Sequence, residues 1–202
     1  MPSVRLIGVA GPSGSGKTTL AQALVQGHPG AELVSADDYY RDLSHLSPAE
    51  RAGVNFDHPA ALDLEALAAD LAVLRLGLGA DVPEYDFSTH TRRVRRRRID
   101  RAGLIVVEGA LLLHAAEVRT QLDLSVYVDA PLDLCLLRRL RRDTEERGRS
   151  VASVLAQYEA TVRPMALAYV LPQRDLADRI LSGEEPLARA AAALVAEVLP
   201  RA

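Results

Sequence analysis

The chain has one cysteine, one lysine and no tryptophan. A lone Cys135 excludes an intrachain disulfide and a cysteine-built zinc site, and fits a reducing, cytoplasmic setting. No apolar run approaches the roughly 20 residues that cross a bilayer, so no membrane association is expected. There is no internal repeat and no long low-complexity tract. The N-terminus leads straight into a strand-like run, so no signal peptide is expected. A net charge of −3 provides no general attraction to nucleic acid or anionic lipid, and neither is expected as a partner. With 202 residues, 49% apolar and a mean hydropathy of +0.03, the chain reads as one globular domain, 1–202, able to bury a core.

What is there begins with VRLIGVAGPSGSGKTT, from Val4 to Thr19. Val4 to Ala10 is an apolar, β-branched run of strand length, suited to burial on both faces. Leu20 to Val25 reads as a helix. Between them, Gly11 to Thr18 spells G-x-x-x-x-G-K-T, a P-loop. Its glycines let successive backbone N–H groups wrap phosphate oxygens, and the helix N-terminus adds partial positive charge. Gly11, Ser13, Gly14, Ser15, Gly16, Lys17, Thr18 and Thr19 are therefore the candidate ATP-binding residues. Lys17 offers a compact cation to the β- and γ-phosphates, and the Thr18 hydroxyl can ligate Mg²⁺. That Lys17 is the only lysine in an arginine-rich chain argues for a position that wants a point charge.

Buried strands alternate with helices along the rest of the chain. Strands are predicted at Ala31 to Ser35, Leu104 to Val107, Leu124 to Val128 and Ile180-Leu181. Residues 41–59 read as a polar surface segment. Leu62 to Leu76 shows a helical apolar stripe with Asp63 as its N-cap. Residues 82–99 change period and suggest a hairpin. A helix follows Pro131 and ends near Gly148. A second starts at Ser150 and runs to about Val170, with a break or kink expected at Pro164. Leu187 to Val198 is the last. The pattern implies an α/β fold, a mostly parallel sheet flanked by helices, with ligands outside the carboxyl ends of the strands.

Those ends carry the candidate chemistry. Asp37 and Asp38 follow the second strand, where a carboxylate could take a proton from an attacking hydroxyl or help hold Mg²⁺. A helix-capping pair is the plainer alternative. Glu108, closing the next buried strand, is a candidate metal-side acid. Tyr85 and His90 could face a planar ligand, although either alone reads as an ordinary surface residue. Arg138, Arg139, Arg141, Arg142, Arg147 and Arg149 could close over a triphosphate as a lid, about 138–160. Arg92, Arg93 and Arg95 to Arg98 read as a solvated hairpin or a subunit contact.

Taken together the motifs resemble the uridine kinases (uridine–cytidine kinases), a P-loop kinase family, over nearly the whole chain. GPSGSGKTT is similar to their phosphate loop, SADDYYRDL to their catalytic segment, PEYDFSTHTR to their base-recognition hairpin and RRLRRDTEERGR to their lid. NFDHP, at Asn55 to Pro59, is a further signature. The resemblance implies phosphoryl transfer from ATP or GTP to the 5′-hydroxyl of uridine or cytidine, with Mg²⁺ as cofactor. It implies Asp37 as catalytic base with Lys17. It implies Tyr40, Tyr85, His90, Arg139, Arg149 and Gln157 as substrate contacts, and Arg142 and Arg147 at the phosphates. Thr18, Glu108 and Asp37 form the metal side, and a homotetramer is implied. Two stretches depart from the family pattern: the run after His90 is richer in arginine, and ADRILSG replaces the usual ending of its segment. Another small hydroxylated acceptor, as in phosphoribulokinases or pantothenate kinases, is the alternative.

Overall fold

The computed structural model of the chain describes residues 4–100 and 102–199. In chain order they form β1 (Arg5–Ala10), α1 (Lys17–Gln26), β2 (Ala31–Ser35), α2 (Pro48–Ala52), α3 (Leu64–Arg75), β3 (Ala80–Val82), β4 (Tyr85–Asp86), β5 (Thr91–Arg92) and β6 (Arg97–Ile99). Then come β7 (Leu104–Glu108), α4 (Ala116–Arg119), β8 (Leu124–Asp129), α5 (Leu132–Glu145), α6 (Val151–Gln157), α7 (Arg163–Met165), β9 (Arg179–Ser182) and α8 (Ala188–Val198).

Five strands make one sheet in the order β2-β7-β1-β8-β9, and every neighbouring pair is parallel. Alternation along the strands divides the core in two. Ile7, Val9, Leu104, Val106, Val126 and Val128 face α1 and α8. Leu6, Ala10, Ile105, Val107 and Tyr127 face the other way, toward α3 and the helical run after Ser150. Because both faces are covered, these strands read as unbroken apolar runs. The first strand sits between β7 and β8, so the loop leaving it opens into the crevice where the connections diverge.

The region 82–99 folds out of the sheet as expected. It makes two short antiparallel ladders, β3 with β6 and β4 with β5. His90 turns the chain between β4 and β5 at φ 55°, a left-handed conformation unusual for a residue with a side chain. Several of its arginines pair within the chain while others stay exposed. Arg92 reaches the carbonyls of Tyr40 (2.8 Å) and Tyr39 (3.1 Å) and the Asp63 carboxylate (3.2 Å). Arg97 pairs with Glu32 at 3.0 Å, and Arg98 with Asp100 at 2.9 Å.

Three details go beyond those expectations. Residues 41–59 are not merely a surface segment: they contain α2, started by a capping box in which Ser47 and Glu50 satisfy each other's backbone N–H groups. The short α4 was not anticipated. Around Pro164 the regular α-winding is interrupted, as expected, but the helical run continues. The chain winds as a wider π-helix at Tyr158–Val162 and again at Ala166–Val170, with α7 between, and ends in a tight 3₁₀ stretch at Leu171–Leu176. The wider winding before the proline relieves the clash of its ring with the carbonyl one turn back, and Pro164 sits in the first turn of α7, where its missing N–H costs least.

Candidate active site

The phosphate loop follows from its glycines. Gly14 and Gly16 take φ values of 89° and 106°, open to glycine without strain. A Cβ on Gly14 would also strike the backbone of Cys135, so the loop rests directly on α5. Lys17 is buried at the start of α1, while Thr18 and Thr19 stay exposed. The Ser15 hydroxyl is buried with no hydrogen-bond partner. From outside, one nitrogen of Arg138 reaches the carbonyls of Gly14 (3.4 Å), Ser15 (3.3 Å) and Gly183 (3.0 Å). This side chain braces the loop and was placed by sequence only within the lid cluster.

Two strands bring acids to the same edge. Glu108 accepts from the Thr18 hydroxyl at 3.3 Å and from the Ser35 hydroxyl at 3.4 Å. Ser35 in turn accepts from the Asp37 N–H at 3.3 Å. The Asp37 carboxyl is pushed up to about 6, first by burial and then by the charge of Glu108, against the pull of Lys17 and Arg147. It remains in touch with solvent through the cleft even though protein surrounds it closely. Asp38 has a different job, because it accepts the backbone N–H of Tyr85 at 3.2 Å.

Thr18, Glu108 and Asp37 supply only oxygen donors. That suits a magnesium ion, which keeps several waters and takes the rest of its shell from one or two carboxylates and substrate phosphates. No group of three or more histidine, cysteine or acidic side chains among the described residues could hold a metal alone.

Asp37 and Ser13 line a cavity together with Pro12, Tyr40, Phe56, Asp57, Leu62, Ala110, Leu111, Val162, Met165, Ala166 and Val170. Sequence reasoning noted NFDHP but gave its residues no role. The structure sets Asp57 beside Asp37, with one carboxylate oxygen taking the Thr161 hydroxyl at 2.7 Å. His58, next along, accepts the Ala60 N–H at Nδ1, so its proton sits on Nε2 and is donated to the Tyr169 hydroxyl, 3.1 Å away.

Tyr85 and His90 stand one ring back from this cavity. Tyr85 packs on Tyr40 at 5.4 Å and His90 stacks on Phe56 at 4.6 Å. The Tyr85 hydroxyl is buried and unpartnered, and burial pushes it up to about 12. Burial, and then the charge of Arg51, push His90 down and favour its neutral form. Gln157 is engaged by two arginines: its carbonyl oxygen accepts from Arg139 (2.9 Å) and Arg149 (2.7 Å). Arg139 also reaches the Ser13 hydroxyl at 3.2 Å and so joins lid to phosphate loop. Arg142 and Arg147 lie on the same lid, turned to Asp143. Sequence reasoning passed over this last residue.

Residues 6–184 match the model of the phosphoribulokinase / uridine kinase family. The chain belongs to this family. A uridine kinase of Chloroflexus aurantiacus is 48% identical over 181 residues, covering 88% of this chain and 86% of the relative. A uridine kinase of Erwinia tasmaniensis is 42% identical over 182 residues, covering 87% and 85%. The phosphoribulokinase from Rhodobacter spheroides superposes with a TM-score of 0.63 at 17% identity, over 93% of this chain and 75% of that one, a likeness of fold alone. The family member described here is a kinase with the P-loop α/β fold. No helix among the described residues is long and apolar enough to cross a membrane.

Proposed function

We propose that this kinase transfers the γ-phosphate of ATP or GTP to the 5′-hydroxyl of uridine or cytidine, giving UMP or CMP. The observation that carries the reading is the cavity in which Asp37 and Asp57 lie beside Ser13 of the phosphate loop, with Tyr40 and Phe56 on its wall. A sugar entering it brings one hydroxyl to Asp37 and others to Asp57, while a flat base meets aromatic rings. The two relatives named uridine kinase support the same acceptor.

In this reading the loop amides and Lys17 hold the donor phosphates, and Arg142 and Arg147 close over them. Thr18 and Glu108, with Asp37 adjacent, would hold a magnesium ion, which would supply positive charge to offset the phosphates. Asp37 takes the proton from the 5′-hydroxyl as that oxygen attacks. Tyr40, Arg139 and Arg149 flank the acceptor, and Gln157 steadies the two arginines. Tyr85 and His90 stand on the base side, behind Tyr40 and Phe56, within reach of a base that parts those rings. A neutral His90 has one donor and one acceptor nitrogen, and so can meet either the carbonyl of uridine or the amino group of cytidine. The closed lid excludes water and limits hydrolysis of the donor.

The test is an activity matrix of nucleosides against donors on the purified protein. Uridine and cytidine should be the best acceptors. A sugar phosphate or pantothenate phosphorylated more efficiently than either would overturn the acceptor, and steady hydrolysis of triphosphate with no acceptor effect would overturn the transfer itself.

A further inference from the structure

The arginine lid is assembled on one carboxylate. Asp143 lies on α5 with no exposed side-chain surface, and four arginines converge on it. Its Oδ1 accepts from Arg142 at Nε (2.9 Å) and Nη2 (2.8 Å) and faces Arg147 at 3.5 Å. Its Oδ2 faces Arg149 at 3.4 Å and Arg139 at 3.6 Å. Its backbone carbonyl takes the Arg149 N–H at 3.0 Å and folds the turn after α5 back on itself.

Four guanidinium groups this close repel one another and, left alone, would splay into solvent. A single buried carboxylate holds them together and still leaves an excess of positive charge. That excess faces the phosphate loop, because Arg139 ends at Ser13. Arginines fixed in advance stabilise charge as it develops in a transition state and need not reorganise at that moment. The carboxylate also offsets part of their charge, so they hold the donor less tightly before reaction than free arginines would.

We propose that Asp143 is a positioning residue for phosphoryl transfer, holding Arg139, Arg142, Arg147 and Arg149 in register with the phosphate loop before the donor binds. The inference rests on the reading that Arg142 and Arg147 meet the donor phosphates; Arg139 and Arg149, on the acceptor side, are held by Gln157 as well. Asp143→Asn keeps the shape and removes the charge. In the full chain, kcat should fall by about 10-fold or more. The donor KM should stay level or drop, and the uridine KM should change by less than about 3-fold. A purely structural role would lower the folded fraction and leave this split absent.

A folded Asp143→Asn protein with kcat within about 3-fold of the parent would overturn the inference, and so would a kcat loss that vanishes at a temperature where both proteins are fully folded. Arg139→Gln and Arg147→Gln separate the two levels. If both leave kcat unchanged, the reading of the lid fails. If they lower it and Asp143→Asn does not, only the role of Asp143 fails. Should Asp143→Asn not fold, Arg142→Met/Asp143→Asn removes the buried charge with its main partner. A lower kcat than in Arg142→Met alone then supports the role, and equal values overturn it.

Discussion

Asp38 accepts the backbone N–H of Tyr85 at 3.2 Å, so the acid next to the candidate base is spent on fastening the β4–β5 hairpin to the turn after β2 that carries Asp37. Neighbours in sequence thus serve different ends, one facing the cavity and one holding its wall. The pair gives a clean contrast. Asp37→Asn should cut kcat by roughly 100-fold or more, the scale of a lost general base, with nucleoside binding retained. Asp38→Asn should mainly raise the acceptor KM and leave kcat within a few-fold. Steady-state kinetics of both variants decides it, and the reverse pattern would exchange their roles.

Arg92 ties the same hairpin to the carbonyls of Tyr39 and Tyr40 and to the cap of α3 at Asp63. Arg92→Gln should loosen the wall that carries Tyr85 and His90. Loss of charge-assisted bonds at this half-buried site should raise the acceptor KM on the order of 10-fold. The donor KM should not move. Equal effects on both substrates would show general destabilisation instead.

His90 stacks on Phe56, and a phenyl ring would keep that contact. His90→Phe therefore removes the hydrogen-bonding nitrogens and little else. Leaving a base edge unpaired should cost about 1–3 kcal/mol, or roughly 5- to 150-fold in kcat/KM, for uridine and cytidine alike. Parent-like efficiency on both would remove His90 from base recognition.

Asp143 sets an acid limit on stability. Burial pushes its carboxyl up, but the hydrogen bonds from Arg142 and the charges of Arg142, Arg139 and Arg147 outweigh this and hold it below the ordinary range. It is covered mainly by the arginines themselves, which explains why the charges win. A group held low when folded stabilises fully above its unfolded value, near 4, and loses that contribution as the pH falls through the folded value. The parent should therefore lose more Tm between pH 6 and pH 3 than Asp143→Asn does, as read by thermal melts at matched ionic strength. Parallel curves would show that this carboxylate does not titrate differently on folding.

Much of this was legible in the chain itself. The phosphate loop, the strands of the sheet and α3 with its Asp63 cap are written in local patterns, because turn glycines, apolar periodicity and caps act over a few residues. The capping box of α2, Ser47 with Glu50, is equally local. An interruption at Pro164 was legible, because a proline cannot sit in a regular helix interior, but its form as a wider turn was not.

What the sequence determined by itself was the phosphate loop, the parallel α/β sheet and the edge along which the chemistry lies. The tertiary structure alone decided which partners each of several acids meets. Asp57 meets Thr161 across 104 positions and Asp38 meets Tyr85 across 47, while Asp143 gathers arginines from both sides of a turn. A carboxylate looks the same in any sequence. Its role is set by burial and by the charges that folding brings within a few ångströms, and those neighbours are not neighbours along the chain.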